Sequence, residues 1–270
     1  MPVDKDPVQD KIDLSVPSAA RMYDYLLGGT NNFLSDRLAV EDLLRTAPSS
    51  RELALNNRAF LRRVVKHIAV HHGIRQFIDH GSGLPTQDNV HQVAQAIHRG
   101  TKVVYVDNDP VVLSQGRALL DENDDVAIVA ADMTNPEAIR SHPKVDGFID
   151  FGQPVAALFV SVLHCVPDPE PARLLRETIQ HLASGSVVVI CQLVSEDTTV
   201  RDTVTRLMAE QTHDNWGRVR TEAEVRTYFD GLQIEPPGLM DVTDWRPDSE
   251  VLPRQRTREW IEFGGLALVP

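Results

Sequence analysis

Three carboxylates stand at the ends of three apolar runs: Asp79 after Phe77-Ile78, Asp107 after Val103-Val104-Tyr105-Val106, and Asp132 after Ala130-Ala131. The first leads directly into Gly81-Ser82-Gly83, and a helix-length segment separates it from the second. Glycines let a backbone approach a ligand closely, and the small Ser82 leaves room beside them. A carboxylate at the end of the second strand is placed to accept two hydrogen bonds from ribose hydroxyls, so Asp107, followed by Asn108, is the expected ribose clamp. This is the layout of a nucleotide-type cofactor site.

The charge at the mouth of the first strand distinguishes between cofactors. Nicotinamide dinucleotides use a similar layout, but their fingerprint needs a third glycine three residues after the second, and residue 86 is Thr. Asp79 would also sit beside the pyrophosphate. Two unit charges about 4 Å apart repel by roughly 1 kcal/mol in water and about 4 kcal/mol at an effective dielectric near 20. A sulfonium cofactor with an ammonium group reverses that sign, so S-adenosylmethionine fits the acidic entrance better than NAD. Asp132 is placed to accept from the exocyclic amine of adenine, and Met133 to touch its ring. One carboxylate after a strand is as readily a helix cap, but three in successive strands argue for a site.

The elements that must position these groups are legible as alternation. Strand-like runs at 76–80, 102–107, 126–131, 155–162, 186–193, 231–236 and 261–269 are rich in Val, Ile and Phe and apolar on both faces, as in a sheet covered by helices on both sides. Asp109-Pro110 and Asn135-Pro136 each place a capping side chain before a proline at the first helical position. Thr221 and Glu224 have capping-box spacing. The expectation is an α/β fold: a doubly wound, Rossmann-like, mostly parallel sheet. Residues 1–74 are expected to form an N-terminal helical extension that begins with a polar, acidic segment over 1–16. Its helices run from Pro17-Ser18 to Leu27, from Asp36, and from about Arg51 to His71 with Gly73 ending it.

In these motifs the chain resembles a class I S-adenosylmethionine-dependent methyltransferase. More closely, it is similar to a bacterial family of S-adenosyl methyltransferases long catalogued as a domain of unknown function. The matching stretches are residues 17–29, 57–63, 73–79, 83–86, 89–91, 103–110, 162–164 and 245–247, which together span nearly everything after residue 16. The resemblance implies a seven-stranded sheet with the last strand, about 261–269, antiparallel. It implies a methyltransferase domain over 75–270 forming one structural unit with the helical extension. It carries the glycine-loop role to Asp79, Gly81 and Gly83 and the ribose role to Asp107. His80 and Ser82 depart from the family's more usual aliphatic residue and Thr, and Pro85 stands where many methyltransferases have a third glycine. No acceptor is transferred.

Further candidates follow from position. Tyr23 and Asn31 lie in or just after the helix broken by Gly28-Gly29, a segment that could fold over the cofactor as a lid. Arg58 is a candidate cation for the cofactor's carboxylate. His164 follows the fourth apolar run, where it could touch the cofactor or remove a proton from a nucleophile, or simply be tied to backbone. Cys165 reads as a packing residue. His67, His71 and His72 could bring two imidazoles to one helix face, but the sequence identifies no third ligand, and no metal is expected. Trp216, Trp245 and Trp260 are expected to pack the later part of the sheet.

Composition bounds the partners. With 27 basic and 39 acidic residues the net charge is -12, and no basic run exceeds a pair, which argues against nucleic acid. No signal-peptide pattern or membrane-length apolar run is present, and two cysteines make no disulfide framework, so a cytoplasmic protein is expected. The leading expectation is a methyltransferase that moves the methyl group of S-adenosylmethionine to a small molecule, leaving S-adenosylhomocysteine. The alternatives are a binding protein for those two ligands with little transferase activity and, behind it, an NAD-dependent dehydrogenase.

Overall fold

The computed structural model describes residues 13–86, 88–120, 123–248 and 253–270. Most of the acidic segment expected before the first helix lies outside the described residues. The chain opens with α1 (Ala19–Leu26), α2 (Leu34–Thr46) and α3 (Ser50–His67), the last running on through one π turn to His72 and stopping at Gly73. Asp36 enters α2 in its first turn, not as its start: Asp36 Oδ2 accepts from Phe33 N at 2.8 Å. The carboxylate is wholly buried and also takes Ser18 N at 3.0 Å and Arg21 Nε at 3.1 Å, locking the entries of α1 and α2 together.

Strands and helices then alternate: β1 (Gln76–His80), α4 (Val90–Ile97), β2 (Lys102–Asp107), α5 (Pro110–Leu120), β3 (Val126–Ala130), α6 (Pro136–Arg140), β4 (Ala156–Val160), α7 (Glu170–Ile179) and β5 (Val187–Val194). They are followed by α8 (Thr198–Gln211), α9 (Glu222–Arg226), β6 (Gln233–Ile234), β7 (Met240–Asp241) and β8 (Ile261–Leu268). The sheet order is β3-β2-β1-β4-β5-β8-β6, with β1 to β5 parallel and β8 antiparallel to β5. All seven expected runs contribute strands. The eighth, β7, pairs with β8 and is two residues long, too short to produce a periodic signal. Strand order reverses at β1, between β2 and β4, which opens the crevice in which such sheets bind ligands.

Alternation along the strands sends side chains into two cores. Phe77, Val103 and Tyr105 join Phe60, Val64 and Ile68 of α3, while Ile78, Val104 and Val106 join Ile139 of α6 and Leu174 of α7. A third cluster packs Met22, Val40, Leu43 and Leu53 of the first helices against Val204 and Met208 of α8, with Trp216 and Trp260. Helix α3 is therefore shared, its start in the third cluster and its end on the sheet. Among the described residues no helix is long and apolar enough to cross a membrane.

Close approach, not turn geometry, explains the glycine at the centre of β8. A Cβ on Gly264 would lie 1.9 Å from the carbonyl oxygen of Ile190 on β5, a backbone atom that cannot swing away. Gly73, by contrast, has φ +64 with open space around it. Urea denaturation should show a loss of about 1 kcal/mol for Gly73→Ala, the left-handed cost alone. Gly264→Ala should lose more than about 4 kcal/mol or fail to fold. Equal losses would show that β5 and β8 are not in this register.

Candidate functional site

Beyond the carboxyl ends of β1 to β4 lies one cavity of about 660 Å³, in the size range of small-molecule sites. Its floor is the glycine turn. Gly81 N and Ser82 N both donate to the carbonyl of Val106, at 2.9 and 3.1 Å, which ties the turn to the end of β2. Gly81 has φ +66, and a Cβ there would lie 2.3 Å from Val162 Cγ2, so the chain after β4 closes directly on the turn. Asp107 braces the same turn: its Oδ2 accepts from Gly83 N at 2.8 Å and its Oδ1 from Asp109 N at 2.9 Å. Each oxygen keeps a second lone pair for a ligand hydroxyl.

The roof is α1. Ser18 caps that helix and its hydroxyl also donates a short hydrogen bond to Asp109 Oδ2, while Asp109 Oδ1 caps α5 by accepting from Val111 N at 2.8 Å. Met22, Tyr23 and Leu26 of the same helix line the cavity. Tyr23 is held at its hydroxyl, which donates to Ala54 O at 3.0 Å and accepts from Asn57 Nδ2 at 2.9 Å; burial pushes its pKa upward.

Enclosure controls the electrostatics. Burial raises Asp79 to about 7, with the Arg58 guanidinium pulling it down and Asp107 pushing it up. Burial also raises Asp107, against the backbone N–H groups that hold it. At neutral pH Asp79 by itself therefore carries only part of the charge that the sequence suggests, and a cationic ligand would restore the rest. Arg58 lines the cavity on the same side.

Of the expected site residues, Asp79, Gly81, Ser82, Gly83, Asp107, Asn108, Asp132, Met133, Tyr23, Arg58 and His164 all line this cavity. Asn31 does not. Its backbone N–H donates to Asp24 Oδ2 at 2.9 Å, in the loop that follows α1, and this carboxylate also takes Asn32 Nδ2 at 2.7 Å. Asp132 combines both readings offered for it: it is on the cavity wall, and its Oδ1 accepts from Thr134 N and Oγ1, each at 2.8 Å.

The geometry corrects the idea of His164 as a base. Its Nδ1 accepts from Leu193 N at 3.4 Å, which leaves the proton on Nε2, and its ring lies 5.0 Å from that of Trp216. Burial, with Arg220 nearby, pushes its pKa down to about 3. A neutral donor is what remains. Arg220 is buried and fixes the loop that carries His164, donating to Leu163 O and Val166 O at 3.0 Å and to Asp168 Oδ1 at 2.8 Å.

Several residues on the wall escape a reading of the sequence. Trp216 and Trp260 face the cavity, whereas only Trp245 packs on the sheet side, 5.5 Å from Phe60. Cys165 is half-buried on the cavity wall. Ser161 and Glu262 also line it; a single carboxylate inside the otherwise apolar run 261–269 is the signal that could have found the second. Away from the cavity, Glu235 is the third group near the histidine cluster, with Oε1 2.5 Å from His67 Nε2 and Oε2 2.7 Å from His72 Nε2. It also accepts from Arg246 at 3.2 Å, so the group is a hydrogen-bonded clamp between the end of α3 and the residues after β6.

Comparison with known proteins bears on what this cavity holds. A family model described as S-adenosyl methyltransferase matches residues 5–270. The fold superposes on a crystal structure from Thermobifida fusca YX, named a "putative methyltransferase", with a TM-score of 0.88 and 37% identity over 95% of this chain and 96% of that one. It superposes equally on a DUF574 family protein from Streptomyces avermitilis MA-4680, with a TM-score of 0.87 and 32% identity over 96% of this chain and 100% of that one. No curated protein matches the sequence. A family match of that length takes in the helical roof as well as the sheet, and the chain belongs to the S-adenosyl methyltransferase family.

Proposed function

We propose that this S-adenosylmethionine-dependent methyltransferase holds its cofactor along the strand ends and methylates a small, largely apolar acceptor in the inner part of the same cavity. The observation that carries this reading is continuity. One continuous cavity joins the glycine turn and Asp107 to a chamber walled by Met22, Leu43, Leu53, Met208, Trp216 and Trp260. The donor set fits the cofactor: Asp107 offers carboxylate oxygens to the ribose, Asp132 and Met133 flank the place for adenine, and the turn admits close approach. Asp79 and Arg58 supply opposite charges for the ammonium and carboxylate of the amino-acid end.

The sulfonium, when bound, supplies an already activated methyl group. What the protein adds is alignment and exclusion of water. The α1 roof and Ser18 close the space, the Arg220 loop holds His164 as a fixed donor, and the apolar chamber presents the acceptor. That division explains why no strong acid–base motif is written in the sequence. A binding protein without turnover would share the cofactor half of this site, so product formation separates the two.

Two measurements test the reading. Calorimetry on Asp107→Ala should show binding of S-adenosylmethionine weakened at least tenfold, since a hydrogen bond to a charged group is worth about 1.5 to 3 kcal/mol and the Gly83 turn loses its brace as well. An unchanged dissociation constant would remove Asp107 from the site. Asp79→Asn should also bind more weakly, yet its ligand-free form should be more stable than wild type. A carboxyl raised from 3.8 to about 7 loses its contribution to stability as pH climbs between those values. The advantage of the Asn variant should therefore grow from pH 5 to pH 8, reaching up to about 4 kcal/mol. Melting curves with a constant difference across that range would contradict it.

A further inference from the structure

Ser161, the first residue after β4, has φ +56, a left-handed conformation that a residue with a Cβ adopts only when its surroundings impose it. Its N–H donates to Cys191 O at 2.9 Å, which pins the turn to β5. The outcome is that its hydroxyl donates a short hydrogen bond to Glu262 Oε1, on β8 and 101 residues away in sequence. Ser161 is half-buried on the cavity wall, and its neighbour Val162 packs against Gly81 of the glycine turn. The strained residue is therefore beside the floor of the cofactor site and borders the acceptor chamber.

Glu262 is 3% exposed, and its second oxygen, Oε2, meets no hydrogen-bond partner. Leaving a buried carboxylate half-satisfied is costly, and its cross-strand neighbour Leu193 is apolar and offers it no partner. Burial raises its pKa to about 8, with the hydrogen bond from Ser161 working the other way and Asp241 adding to the rise. At pH 7 such a group is mostly protonated; its ionised form, which grows as pH rises towards 8, is a base well matched to accepting a proton in this range.

We propose that Ser161 and Glu262 form the proton-accepting pair of the methyl transfer, for an acceptor that attacks through a hydroxyl or an amine. The acceptor's lone pair bonds to the methyl carbon, and the C–S bonding pair returns to sulfur. With Glu262 in its ionised form, the acceptor's proton passes to Ser161 Oγ as the Ser161 proton passes to the Glu262 carboxylate, so charge and atoms balance without a further reactant. Ser161 is the residue that touches the acceptor, and Glu262 acts through it. The inference rests on the cavity's being the S-adenosylmethionine site.

The test needs no knowledge of the acceptor. Sinefungin replaces the methylated sulfonium by a carbon bearing an ammonium group, whereas S-adenosylhomocysteine carries only a thioether there. Calorimetry should show sinefungin binding wild type more tightly than S-adenosylhomocysteine. Ser161→Gly and Glu262→Gln should each cut that preference about tenfold while leaving the affinity for S-adenosylhomocysteine within about twofold, as expected for loss of one charge-assisted hydrogen bond. Binding of both ligands with no preference, or a preference that survives both substitutions, would overturn the pair and leave the cofactor assignment standing. Failure of both ligands to bind wild type would overturn the cofactor assignment and the pair with it.

Discussion

The site depends on one closure: the Ser18 hydroxyl of the helical roof reaching Asp109 at the end of the second strand, with buried Asp36 holding the Ser18 backbone from behind. Without that roof the strand ends would open to water, and a carboxylate in water has an ordinary pKa. Under it, Asp79 rises to about 7 and Glu262 to about 8, both chiefly through burial. The same enclosure that suits a cationic ligand thus holds two acids where neither is comfortably ionised on its own.

The two halves of the cavity are built differently. On the side proposed for the cofactor, the groups come from consecutive strand ends and are fixed by backbone: Val106 O receives the glycine turn, and Gly83 N and Asp109 N hold the Asp107 carboxylate. Register in a parallel sheet sets these positions, so they vary little with what lies above them. The side proposed for the acceptor draws on α1, α2, α3, α8, the residues around Trp216 and the start of β8, elements far apart in the chain. Its wall is mostly apolar side chains from helices, which can change without disturbing the sheet. A fixed type of donor site beside a variable acceptor chamber is the natural result of that construction.

The residues of the site differ in how far a linear reading reaches them. Asp79, Gly81, Gly83 and Asp107 follow strand-length apolar runs, so period and punctuation along the chain are enough to locate them. Asp132 and Met133 follow by the same rule one strand later. Asn31 shows where the rule stops: it sits beside the glycine pair that breaks α1, but its backbone N–H is held by Asp24 and it is not on the cavity wall. The position of His164 at a strand end is equally legible, yet its chemistry is set by the Leu193 N–H and by burial, neither of which the chain order contains.

What the sequence determined by itself is the alternating fold, the glycine turn, the series of strand-end carboxylates and hence the kind of cofactor, because these depend on local period, on caps and on the sign of charge. Tertiary structure alone decided that α1 roofs the site through Ser18 and Asp109, that Trp216 and Trp260 face the cavity, and that Ser161 meets Glu262. The two hydrogen-bonded pairs join residues 91 and 101 positions apart, and the second depends on the antiparallel return of β8 beside β5. The burial that shifts the carboxyl groups is likewise a property of the assembled fold, since desolvation belongs to the surroundings and not to any residue's place in the chain.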